Sequence, residues 1–187
     1  MNKGKIIFLN GVSSSGKTTL AKSLQEQLID PFYWLAADNF FDMIPKKYLN
    51  HDNMTIIEKT ISISHHAIKF FSDMGVNTIV DQILSQENWM YECVKLLYEY
   101  PVIFVHVTCP LEELQRREKE RGDRGIGWAE NQLQQLNPKD NIYDITVDTY
   151  NETKEECVKK IIEFMNKSKE VTAFKTLWAQ LKDLNYM

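Results

Sequence analysis

Residues Gly11, Val12, Ser13, Ser14, Ser15, Gly16, Lys17 and Thr18 follow the pattern G-x-x-x-x-G-K-[ST], directly after the apolar run Ile6–Leu9. Each residue type has a task in holding phosphate. Gly11 and Gly16 admit backbone angles and a close approach that a Cβ would block. The turn aims successive N–H groups inward as an anion nest, and the positive end of the following helix adds to the field. Lys17 supplies a mobile charge for the β- and γ-phosphates, and Thr18 a hydroxyl for Mg²⁺. Glycine makes up about 7% of residues on average, so a chance match is on the order of one percent. The context is also right, because a strand precedes and a helix follows. The pattern, extended by Thr19, predicts an ATP site.

Two aspartates stand where such a site needs carboxylates. Asp81 ends the apolar segment T-I-V-D. If that strand neighbours the first, Asp81 sits beside the phosphate loop and holds Mg²⁺ directly or through water. Asp38 ends W-L-A-A-D. Ligands of open α/β sheets lie outside the carboxyl ends of strands, so Asp38 points at the same crevice. It also suits the N-cap of a short helix beginning at Asn39. Four arginines follow in one segment: Arg116, Arg117, Arg121 and Arg124, the last between Gly122 and Gly125. Arg117 and Arg121 share a helix face. Arginines before flexible points suit a lid that closes on phosphates, with Arg121 and Arg124 the stronger candidates. The competing reading is surface ion pairs, since Glu113 and Glu120 lie four residues before Arg117 and Arg124.

Apolar runs that alternate with helical periodicity carry these residues, the mark of βαβ units. Strands are expected at Lys5–Asn10, Tyr33–Ala37, Thr78–Ile83, Val102–Thr108 and Ile145–Asp148. Helices are expected at Lys17–Ile29, Met54–Met74, Asn88–Tyr98, Leu111–Arg121, Trp128–Leu136 and Lys154–Asn166. With the phosphate loop, this predicts a three-layer α/β P-loop kinase fold around a five-stranded parallel sheet. A last helix, Val171–Asn185, places Phe174, Leu177, Trp178, Leu181 and Leu184 on one face. That face must pack on this chain's own body or on a second copy of the chain, forming a homo-oligomer. The domain expectation is a kinase domain over 1–167, with a lid near 111–136, and a helical extension over 168–187.

Composition excludes several function classes. A chain of 187 residues with a formal charge of −4 has no chain-wide basic field for nucleic acid or anionic membrane. No apolar run approaches the length of a membrane span. Cys93, Cys109 and Cys157 show no metal-ligand spacing and are expected to be reduced thiols of a cytoplasmic protein.

Taken together, I-I-F-L-N-G-V-S-S-S-G-K-T-T-L, A-D-N-F-F-D-M-I-P, I-V-D-Q-I-L, E-R-G-D-R-G-I-G and Y-D-I-T-V-D-T resemble the chloramphenicol phosphotransferase-like family, in the same order from Lys5 to Phe164. The resemblance implies ATP-dependent phosphorylation of a hydroxyl on a small molecule, and it maps the family's catalytic aspartate onto Asp38. The chain departs from the family at Asp81–Gln82, where members often carry two aspartates, and in the region after Pro45 that shapes the acceptor pocket. A nucleotide or nucleotide-sugar kinase, and an ATP-binding regulatory module without catalysis, use the same scaffold.

Overall fold

The computed structural model describes residues 2–49, 53–122, 127–135, 142–168 and 170–182. Five parallel strands form one sheet: β1 (Ile6–Asn10), β2 (Phe32–Ala36), β3 (Asn77–Asp81), β4 (Val102–Thr108) and β5 (Ile145–Asp148), in the order β2-β3-β1-β4-β5. The helices among the described residues are α1 (Lys17–Gln27), α2 (Ala37–Phe41), α3 (Met54–Asp73), α4 (Glu87–Leu97), α5 (Leu111–Arg121), α6 (Trp128–Gln135), α7 (Lys154–Lys167) and α8 (Ala173–Leu181). This is the expected parallel α/β fold, with strand ends shifted by one or two residues. A single 3₁₀ turn at Lys46–Tyr48 was outside the sequence expectation.

Strand alternation explains the layers. Ile6 and Phe8 of β1 face one side and join Val80, Phe104, Ile68 of α3 and Val94 and Leu97 of α4. Ile7 and Leu9 face the other and join Ile79, Val105, Leu20 and Leu24 of α1 and Val158 and Ile161 of α7. Both faces are covered, so the strands read as continuous apolar runs. Helix α7 starts on a capping box, in which Thr153 and Glu156 satisfy each other's backbone N–H groups. No helix among the described residues is long and apolar enough to cross a membrane.

The apolar face of α8 lies on this chain's own core. Phe174 and Leu177 are buried beside Phe8 and Phe104, and Trp178 stacks on Tyr98 at 5.1 Å between ring centroids. Asp144 fixes the start of the segment, its carboxylate accepting from the N–H groups of Thr172 and Ala173. Leu184 lies outside the described residues. Leu177→Ala should therefore cost about 2–5 kcal/mol, the range for emptying a buried leucine site. Chemical denaturation would measure it. A loss under about 0.5 kcal/mol, the size of a surface change, would show that α8 is not part of the core.

Candidate active site

The carboxyl ends of β1, β2 and β3 open onto one cleft of about 490 Å³. Strand β3 lies between β1 and β2, with Leu9 opposite Asp81 and Ala36 also opposite Asp81. The adjacency on which the reading of Asp81 depended is thus present. Lys17, Thr18, Asp38, Asp81, Arg117 and Arg121 all line the cleft, with Ser13, Ser14, Gly16 and Thr19. Gly11, Val12 and Ser15 do not. A Cβ on Gly11 would stand 2.3 Å from the Val107 carbonyl oxygen, so only glycine fits against β4. Val12 is buried with Cys109, Leu114 and Ala129. Arg124 lies outside the described residues.

The loop that leads into α1 is tightly wound. Gly16 has φ 92° and Ser14 φ 62°, both left-handed. At Ser14 this costs of order 1–3 kcal/mol, which the surroundings must hold in place. Ser15 N–H donates to the Val12 carbonyl at 3.3 Å, and Lys17 Nζ donates to the same oxygen at 2.9 Å. Thr18 Oγ1 donates to Asp81 Oδ2 at 2.6 Å. A hydroxyl and a carboxylate side by side are hard oxygen donors of the kind Mg²⁺ takes, together with phosphate oxygens.

Behind Asp81 the floor is fixed by buried polar contacts. Asn10 is fully buried, accepts from Leu84 N–H at 2.9 Å and donates to the Tyr143 hydroxyl at 2.9 Å. Gln82 lies 2.9 Å from His65 Nε2, and its Oε1 accepts from the Ser64 hydroxyl at 3.2 Å. His65 Nδ1 lies 2.7 Å from Glu92. Nδ1–H donates to that carboxylate, so Nε2 accepts from the Gln82 amide. The His65 hydrogen bond holds the Glu92 carboxyl below its usual range. The Asp81–Gln82 departure from two aspartates is matched by this buried partner.

Asp38 requires a correction. Helix α2 begins at Ala37, two residues earlier than expected, and its N-cap is Ala36, with no side-chain capping bond. Asp38 is a first-turn residue of α2, so the capping role does not hold. Asp42 ends α2 and does not line the cleft.

The arginines separate by position. Arg116 is exposed and pairs with Glu113 and Glu120, which the surface reading had paired with Arg117 and Arg124. Arg117 also pairs with Glu113, at 2.7 Å, but its other end faces the cleft. It donates to Thr149 Oγ1 at 3.0 Å, to the Thr149 carbonyl at 2.9 Å and to the Ser14 carbonyl at 3.4 Å. Arg116 and then Arg117 push the Glu113 carboxyl well below the ordinary range. Helix α6 is set against α5 by Glu118, a buried carboxylate that accepts from Gly127 and Ala129 N–H.

Sequence reasoning misses Gln132 and Thr149. Gln132 Oε1 accepts from Ser13 N–H at 2.6 Å, and Thr149 Oγ1 donates to the Ser15 carbonyl at 2.8 Å. Thr149 directly follows β5, so the strand-end rule that found Asp38 and Asp81 would have found it. Nothing in its spacing marks Gln132. Cys157 also lines the cleft, but burial, then the Glu152 carboxylate, push its thiol up to about 12, so it stays protonated at neutral pH.

Comparisons with known proteins agree with this geometry. The family model described as chloramphenicol phosphotransferase-like protein matches residues 4–166. The adenylyl-sulfate kinase of Clostridium acetobutylicum is 30% identical over 181 residues, covering 89% of this chain and 86% of the relative. The solved structure of the Mycobacterium tuberculosis APS kinase in complex with AMPPNP and APS superposes with a TM-score of 0.67 at 19% identity, covering 89% of this chain and 100% of that one. The shikimate kinase of Acinetobacter baumannii in complex with shikimate gives a TM-score of 0.66 at 17% identity, covering 90% and 97%. At these identities the two structures establish a shared fold.

Proposed function

We propose that this chain, which belongs to the chloramphenicol phosphotransferase-like family of P-loop phosphotransferases, transfers the γ-phosphoryl group of ATP to a hydroxyl of a small uncharged acceptor. The observation that carries the reading is the convergence of Lys17, Thr18, Asp81 and Asp38 on one cleft. Asp38 takes the acceptor's hydroxyl proton as that oxygen attacks the γ-phosphorus in line. The new O–P bond forms, the bond to the β–γ bridging oxygen breaks, and ADP leaves with the electron pair. Lys17 offsets the charge on the β- and γ-phosphates, and Arg121 the charge that develops on the transferred group. Thr18 and Asp81 would hold Mg²⁺, which offsets phosphate charge when bound. Arg117, bonded to Thr149 just beyond β5, would bind the nucleotide. In this reading residues 1–167 form the kinase body, about 111–136 its lid with Arg124 as a second arginine, and 168–187 an extension whose helix α8 docks on the body.

The charge pattern supports an uncharged acceptor. The cleft's cations are Lys17, Arg117, Arg121 and Lys154, from the P-loop, α5 and α7. On the other half, the described residues Ala36, Ala37, Asp38, Asn39, Gln82 and Ile83 carry no cation. An anionic acceptor such as adenylyl sulfate or shikimate would bring charge to a side whose described ionisable groups, Asp38 and Asp81, are carboxylates. The test is a panel of uncharged hydroxylated antibiotics (chloramphenicol among them), nucleosides, nucleotide sugars, adenylyl sulfate and shikimate, each incubated with Mg-ATP and read by product mass. Phosphorylation restricted to anionic acceptors would refute the acceptor class.

Arg121→Ala should lower kcat by ~10²-fold or more, because removing one donor to developing charge costs ~3–4 kcal/mol. ATP affinity should fall less. Steady-state kinetics checks this. An unchanged kcat would make Arg121 a surface residue.

A further inference from the structure

Ser13, Ser14 and Ser15 are each held from outside the loop by a different element. Gln132 of α6 accepts from Ser13 N–H at 2.6 Å, Arg117 of α5 donates to the Ser14 carbonyl at 3.4 Å, and Thr149 after β5 donates to the Ser15 carbonyl at 2.8 Å. Arg117 and Thr149 are themselves joined by two hydrogen bonds. At the centre stands Ser14, a non-glycine residue at φ 62°. It is the third residue of the turn Val12–Ser15, a place that usually takes glycine when φ is positive. The turn's own hydrogen bond, at 3.3 Å, is long. The loop therefore does not hold its shape through local bonding alone.

We propose that Gln132 and Thr149, with Arg117, form an outer brace that fixes the peptide planes before Ser13 and after Ser14 and so presets the P-loop for phosphate. The mechanism is backbone control. The Val12–Ser13 peptide is gripped on both sides, its carbonyl by Lys17 and its N–H by Gln132. A peptide held at both ends cannot rotate; Arg117 and the turn's own bond hold the Ser14–Ser15 peptide in the same way, and Thr149 holds the carbonyl of the Ser15–Gly16 peptide. A nest aims its N–H groups through the orientation of such peptide planes. Gln132 is itself well anchored. It lies one turn beyond Ala129, which is fully buried against Val12 and Leu114. The same face of α6 thus gives the loop an apolar seat at Val12 and a polar hold at Ser13. Gln132 and Thr149 are positioning residues: they act on phosphate through the loop backbone.

The inference rests on the nucleotide reading of the cleft, and its test separates the two. ATP binding is titrated calorimetrically for the wild-type protein, Gln132→Ala and Thr149→Val. Kinetics on the phosphorylated acceptor follow. Each single change should weaken ATP binding by roughly 10-fold, the worth of one well-made hydrogen bond. The kcat at saturating ATP should stay within about 2-fold, since the loop's shape once filled is unchanged. Thr149→Val keeps the side-chain shape and serves if Gln132→Ala fails to fold. Wild-type protein that binds no ATP overturns the nucleotide reading and the brace together. Wild-type binding with unchanged affinity in both single variants overturns the brace alone. So does a fall in kcat well beyond 2-fold at saturating ATP, which would place Gln132 on the reacting groups.

Discussion

Asp38→Asn should lower phosphotransfer by ~10²–10⁴-fold, the usual worth of a general base, with ATP affinity and stability near wild type. The substitution keeps the shape of the side chain and removes its basicity. Helix α2 does not depend on that side chain for its cap, because Ala36 holds the cap position with extended backbone angles. The paired ends of β2 and β3 explain why Asp38 is the carboxylate to test. Ala36 stands opposite Asp81, so Asp38 lies two residues beyond the level at which Asp81 meets Thr18. Asp42 lies about a turn further along α2, ~6 Å on the axis, and outside the cleft lining. Asp42→Asn should accordingly be much milder. Wild-type turnover in Asp38→Asn, measured on the phosphorylated acceptor, would move the base elsewhere.

Lys17→Ala should abolish measurable transfer, a loss of at least ~10²–10³-fold on the scale of one electrostatic donor, and leave the fold intact. The Val12 carbonyl that accepts from Lys17 Nζ also accepts from Ser15 N–H, so it keeps a donor when the side chain is removed. Without the ammonium, the β- and γ-phosphates lose the one compact cation that the loop itself carries. Thermal unfolding near the wild-type midpoint, with transfer lost, is the expected pair of results. Undiminished transfer would refute the P-loop assignment.

The parts of the site that sequence reveals are those whose chemistry depends on spacing. The phosphate loop is one, because a strand, a glycine pair, a lysine and a hydroxyl must follow in fixed order. Asp81 is another, because a carboxylate at the end of an apolar strand has few structural reasons to be there. The start of α2 was harder to read. Asp38 and Asn39 are both good caps, and only the level at which β2 stops, set by its register with β3, decides that the helix begins at Ala37. Amphipathicity marked the buried face of α8 but not its partner. The choice follows from the three-dimensional meeting of Phe174 with Phe8 and Phe104. Gln132 was illegible for a different reason. A single polar residue on a helix has no periodicity, and its contact with Ser13 spans 119 positions. Family resemblance and fold therefore reach the reaction class, while the acceptor depends on side chains that the spacing of motifs does not constrain.

The most direct measurement is single-turnover transfer from ATP labelled in its γ-phosphoryl group, followed on the acceptor and as ADP. The expected result is label on the acceptor hydroxyl, with ADP formed in equal amount and only when acceptor is present. Tight binding of ATP with no label moved to any acceptor, or ADP formed at the same rate without acceptor, would contradict the assignment of a kinase and leave a nucleotide-binding module or a hydrolase in its place.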